Sequence, residues 1–335
     1  QTATQSRLAE FPRYRVVSGN AITLAELQEL LQPGEAYYKM LTSNGDAYGI
    51  FVTRETARAF RLGTTPAELD RQVDALRATI SVVQDNQNLT YPFDLELAYR
   101  LYQQLFGPVS AELAQVRHLV FEPDGAMLRL PPNLLVMDRA AIDAYAARTA
   151  SPDADSFDFR GIEWLGRQRD VSTSVWARAF RDGRQARASN ARAEYIGFGE
   201  NQPVSNVFQP ALTGTRNVAG GDDCAWPLFA WNRPISAGEL ITARQSFSAN
   251  GNGGAEVVTG ADFSDTGIKR RDDLDDFRIL HFATHGLVTG PRPQCPAQPA
   301  LMTSFGDQDS DGLLTFSEIY DLRLDADLVI LWACD

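Results

Sequence analysis

The stretch R278-I-L-H-F-A-T-H-G286 runs from a strand-like apolar segment straight into a His-Gly pair. A second run, L328-V-I-L-W-A-C-D335, ends its apolar segment on Cys334 and Asp335. Working back from these, Y195-I-G-F-G199 and E256-V-V-T259 also read as strands, with A237-G-E-L-I-T-A-R-Q-S-F247 as a helix between them. A helical stretch leads to Phe277, and S317-E-I-Y-D-L322 is a further helix. Strands alternating with helices imply a mostly parallel sheet. In such a sheet, reactive groups gather beyond the carboxyl ends of the strands. If the strands ending at His285 and Cys334 are neighbours, the imidazole and the thiol meet at one rim. An imidazole beside a thiol generates the nucleophilic thiolate. Gly286 permits a sharp turn, so its N–H, with that of Cys334, is a candidate oxyanion hole.

Residues 1–190 read differently. Y37-Y-K-M-L41, Y48-G-I-F-V52 and A57-R-A-F-R61 form an antiparallel meander, with Asn44-Gly45 as a hairpin turn. The run from Thr65 to Ile80 is an amphipathic helix: Thr65 caps it, Pro66 opens it and Glu68 completes a capping box. D94-L-E-L-A-Y-R-L-Y-Q-Q-L-F106 is a second helix and 109–116 a short third. The run HLVFEPDGAMLRLP, from His118 to Pro131, predicts strand, turn, strand. No catalytic set emerges in this half, and His118 starts a strand with no partner that the sequence identifies.

A net charge of -12 argues against a nucleic-acid or anionic-membrane surface, and no apolar run reaches the roughly 20 residues of a membrane helix. The chain stops at Asp335 directly after an apolar strand, which reads as a fragment cut at both ends. The three cysteines form no disulfide scaffold. Cys224 and Cys295, both in Pro-flanked loops, either pair, which places the protein in an oxidising compartment, or are unrelated thiols.

Four motifs, HFATHG (His281 to Gly286), PALMTSF (Pro299 to Phe305), DGLLTFSEI (Asp311 to Ile319) and ADLVILWACD (Ala326 to Asp335), resemble the CHAT domain. CHAT domains are caspase-like modules, related to separases, metacaspases and caspases and often joined to tetratricopeptide repeats. The resemblance extends in order, more than in letters, back to L119-V-F-E-P-D-G125 and to the meander near Tyr48. It implies an α/β, caspase-like fold: a mostly parallel twisted sheet flanked by helices over 191–335, and a mixed α/β pseudo-caspase lobe over 1–190. It further implies a bacterial cysteine endopeptidase with His285 as general base and Cys334 as nucleophile, acting on a protein substrate. A regulatory partner or tetratricopeptide region outside this stretch is expected; the protein reads as soluble, with its compartment left open between bacterial cytoplasm and periplasm, the periplasm if Cys224 and Cys295 pair. No cofactor is required. The alternative is a catalytically silent interaction module. Two departures from the family stand out: its chains continue past the cysteine with strands that complete the pocket, and Trp332 stands where Ser is usual. With Asp335 it is a candidate lining of the specificity pocket, which Trp332 narrows or caps.

Three further patterns compete for a function. D307-Q-D-S-D-G-L-L-T-F-S-E318 matches an EF-hand loop, with Asp307, Asp309, Asp311 and Glu318 as calcium ligands. Its letters are equally explained by an Asp311-Gly312 turn and a Thr315–Glu318 capping box, and the Pro299–Gly306 stretch before it lacks helical periodicity. The structural explanation is preferred, with calcium as the alternative. His281 and His285 would be a metal pair on a helix, but on a strand they lie about 13 Å apart, so His281 is expected in the core. G197-F-G199 starts like a dinucleotide fingerprint, but the third position is Gln202, and it reads as a tight strand exit.

Overall fold

A computed structural model describes residues 22–80, 82–84, 87–204, 226, 228–249, 254–287, 299–307 and 310–333. The chain divides into two compact units, Gln1–Ala186 and Arg187–Asp335.

In the first unit, helix α1 (Leu24–Leu30) precedes strands β1 (Glu35–Ser43), β2 (Asp46–Val52) and β3 (Ala57–Arg61). These pair antiparallel as the meander predicted, and Asn44 and Gly45 take φ values of 53° and 83°, the left-handed pair that a two-residue hairpin needs. Helix α2 (Pro66–Ile80) is capped by Thr65, whose Oγ accepts from the Glu68 N–H at 3.3 Å. The Glu68 carboxylate, expected back on Thr65, accepts from Arg71 and Gln72 one turn on. After a short hairpin, β4 (Val82–Gln84) with β5 (Gln87–Leu89), comes α3 (Leu95–Phe106). Asp94 caps it through the Leu97 N–H. Strand β6 (His118–Glu122), helix α4 (Arg139–Arg148), strand β7 (Asp170–Thr173) and helix α5 (Ala177–Gln185) follow. The sheet order is β3-β2-β1-β6-β7, with β6 parallel to both neighbours. One face carries Tyr38, Leu69, Val73, Leu101 and Phe106 in a single core; the other buries Leu27, Leu31, Tyr37 and Val120, with Phe180 packed against them.

The strand predicted after Pro123-Asp124-Gly125 does not form; Gly125–Arg129 is a 3-10 turn. Both edges of β6 are already occupied, by β1 and β7, so a hairpin partner has no ladder to join. Asp124 instead accepts from the N–H groups of Gly125 and Thr42 and from the Thr42 hydroxyl, which fixes the turn.

In the second unit, β8 (Ala193–Asn201), helix α6 (Gly238–Ala249), β9 (Ala255–Gly260), helix α7 (Asp265–Lys269) and β10 (Phe277–Ala283) alternate as expected. A three-stranded antiparallel piece follows, made of β11 (Gly286–Leu287), β12 (Ala300–Met302) and β13 (Leu313–Thr315). Helix α8 (Phe316–Asp321) and strand β14 (Leu328–Trp332) complete the order. The main sheet runs β14-β10-β8-β9, and each pair is parallel. Strand alternation sends Ile196, Phe198, Leu280 and Phe282 to a core with Phe263, Ile268 and Leu314. The opposite face is covered by Leu240 of α6 and by Ala237 just before it, which pack on Ala283. This is the α/β architecture expected of a caspase-like domain.

Gly197 and Gly199 lie inside β8 rather than at its exit. A Cβ on Gly199 would fall 2.4 Å from the Ala283 carbonyl oxygen, so the glycine is what lets β8 and β10 approach. Just beyond it the register with β9 shifts, and Glu200, at φ 51°, turns its carboxylate to accept the Ala237 N–H at 2.8 Å.

Candidate active site

β10 and β14 lie side by side in parallel register, from Ile279 opposite Leu328 to Ala283 opposite Trp332. The ladder continues one step past the named strands, where the Thr284 N–H donates to the Trp332 carbonyl at 3.2 Å. The chain leaving β10 is then pinned from the other side. Thr284 donates its hydroxyl to the Met302 carbonyl, and the Met302 N–H donates to the His285 carbonyl at 2.9 Å. His285 is thus presented, half-buried, at the carboxyl end of the sheet.

Among the described residues, a backbone carbonyl orients its ring. His285 Nε2 lies 2.7 Å from the Arg233 carbonyl oxygen. A carbonyl can only accept, so Nε2 carries a proton, and in the neutral tautomer this selects, Nδ1 is the basic nitrogen. Nothing in the sequence marks Arg233, because a carbonyl oxygen is common to every residue. Gly286, next in the chain, packs on the end of β14: a Cβ there would stand 3.1 Å from the Ala333 Cβ and 3.3 Å from its carbonyl oxygen. Trp332 is 46% exposed at the end of β14. Cys334 and Asp335 lie outside the described residues, as do Cys224 and Cys295.

His281 is the core residue that the strand spacing implied, 3% exposed on the α6 face of β10. Its Nδ1 meets the Tyr195 hydroxyl at 3.1 Å, and Nε2 lies 3.5 Å from Glu239 of α6. Burial lowers the His281 pKa against the pull of Glu239, and burial with Glu239 pushes Tyr195 up to about 12. Both groups therefore stay neutral near pH 7.

The described part of the EF-hand-like stretch holds strand β13 followed by a capped helix. The residues before it form strand β12, not an entering helix, and β12 pairs antiparallel with β13 across the turn at Gly312, φ 74°. Thr315 and Glu318 make the full capping box on α8. Glu318 also takes the Lys269 ammonium at 2.5 Å, Lys269 reaches Asp265 at 3.2 Å, and Asp307 pairs with Arg270. Asp311 accepts from the Leu313 N–H at 3.0 Å. Asp309 is outside the described residues. Among the described residues no three His, Cys, Asp or Glu side chains converge as a metal site.

Residues 95–335 match the family model of the CHAT domain. The match begins at α3, so the meander near Tyr48 lies outside it. No curated protein matches the chain.

Proposed function

The chain belongs to the CHAT domain family, and on that premise we propose that its second unit is a cysteine endopeptidase working through His285 and Cys334. The observation that carries this reading is the β10–β14 register. His285 stands two residues past Ala283, Cys334 two residues past Trp332, and Ala283 and Trp332 are paired. In the proposed reaction Nδ1 of His285, left unprotonated by the Arg233 contact, takes the thiol proton of Cys334. The thiolate attacks the scissile carbonyl of a protein substrate, and the N–H groups of Gly286 and Cys334 receive the oxyanion. The imidazolium returns the proton to the leaving amine. Water then attacks the acyl-enzyme, with His285 again as base, and frees the thiol. Trp332, exposed beside this rim, meets the residue before the cut.

Labelling with a peptidyl acyloxymethyl ketone, mapped by mass spectrometry, tests this. The expected result is an adduct on Cys334 that Cys334→Ala removes and His285→Ala slows at least about 100-fold. An unmodified Cys334, together with no cleavage across a peptide library, would identify a silent interaction module instead.

A further inference from the structure

The first unit holds a hydrogen-bonded series that the endopeptidase reading does not use. Glu35, His118 and Ser172 stand on the adjacent strands β1, β6 and β7, and Glu35 is the register partner of His118. His118 Nδ1 lies 2.8 Å from Glu35 Oε1, and His118 Nε2 lies 2.7 Å from Ser172 Oγ. The carboxylate is itself fixed: Oε1 also accepts from Arg184 of α5 at 2.6 Å, and Oε2 from the Gln32 N–H at 2.7 Å. Burial opposes the charge on Glu35, but the Gln32 N–H, Arg184 and His118 together hold its pKa below the usual carboxylate value.

The Glu35 contact decides which nitrogen of a neutral ring keeps its proton. An ionised carboxylate accepts only, so Nδ1 carries the ring proton. In the neutral form of the ring Nε2 is then an acceptor, and the Ser172 hydroxyl donates to it. The result is hydroxyl to imidazole to carboxylate, the order that general-base activation of an alcohol needs. Access is open: Ser172 is exposed, on a strand that among the described residues pairs only with β6, whereas Glu35 is 9% exposed at its side chain. His285 has the opposite tautomer, so the two histidines present different nitrogens as base.

We propose that Ser172, His118 and Glu35 form a second nucleophilic site, with Ser172 as an activated serine that takes an acyl group from small activated esters. Ser172 Oγ bonds to the acyl carbon while its proton passes to His118 Nε2. The bond from that carbon to the leaving oxygen breaks, and His118 returns the proton to the departing alkoxide. Water, deprotonated by the same nitrogen, then displaces the acyl group as a carboxylic acid and restores the hydroxyl. Glu35 is a positioning residue that keeps the proton on Nδ1.

The site is independent of Cys334, and its test is read at Ser172 itself. The full chain is treated with an alkyl fluorophosphonate, and the rate of modification at Ser172 is compared by peptide mapping with that at exposed Ser151. Ser172 is expected to react at least about 100-fold faster. His118→Ala removes that advantage and added imidazole restores part of it. Glu35→Gln lowers the rate about tenfold, and Glu35→Asp recovers it. If His118→Ala does not fold, the Glu35 pair still decides the matter, with thermal melts showing both variants intact. Equal modification of Ser172 and Ser151, or a Ser172 rate unchanged by Glu35→Gln, would reduce the series to a cross-strand bridge and overturn the proposal.

Discussion

Two glycines of the second unit measure how tightly the sheet is closed. A methyl group at Gly199 meets a backbone oxygen at 2.4 Å, whereas one at Gly286 meets the methyl of Ala333 at 3.1 Å. Backbone cannot swing aside as a side-chain tip can. Gly199→Ala is therefore expected to destabilise toward the upper end of the roughly 1–3 kcal/mol typical of overpacking, and Gly286→Ala toward the lower end. Urea unfolding of the two variants gives the ranking directly. Under the proposed endopeptidase reading the order reverses: a methyl at Gly286 presses on Ala333 beside the exit of β14, and Gly286→Ala is expected to lower kcat/KM by about tenfold or more, since small misplacements are costly.

At the scale of elements, the acidic run leading into α8 has cations of this chain's own beside it. Lys269 supplies a cation between Asp265 and Glu318, and Arg270 does the same for Asp307. Calcium to millimolar is expected to leave the melting temperature unchanged; a micromolar transition in calorimetry would reverse this reading. Thr315→Ala removes the cap and should cost about 1 kcal/mol, read from the urea midpoint. Burial works against the charge on Glu318, but Lys269 and Thr315 bring its pKa below its ordinary 4.5. A depressed carboxylate pKa contributes stability that is full above that ordinary value and is lost as pH falls through the lower folded one. Glu318→Gln, which keeps a capping acceptor without the charge, should flatten that acid limb in urea titrations run from pH 6 to about pH 3.

Across the whole molecule, each unit has its own sheet and its own buried cores. Arg187 lies in an exposed stretch without regular structure at the start of the second unit. Trypsin is expected to cut after Arg187 and to leave two fragments that each melt cooperatively, checked by circular dichroism of the separated pieces. Among the described residues no helix is long and apolar enough to cross a membrane. Strand β14, at the margin of its sheet among the described residues, keeps Leu328, Val329, Leu331 and Trp332 exposed.

Local chemistry by itself determined a good deal of this protein. The Asn44-Gly45 hairpin, the Thr315–Glu318 box, the Asp311-Gly312 turn and the alternation of strands with helices after Tyr195 depend on neighbours in the chain, and they were legible there. The family followed from the last such motifs. Long-range pairing settled the rest. Whether 126–131 could be a strand depended on β7 having already taken the free edge of β6. The partner of His285 is a carbonyl 52 residues away, with no side-chain signature. Glu35, His118 and Ser172 come from strands whose adjacency no local pattern encodes, so His118 looked solitary until the sheet was assembled. Periodicity and capping are set within a few residues, whereas ladder order and hydrogen-bond partners are set by which edges and which burial the whole chain leaves available.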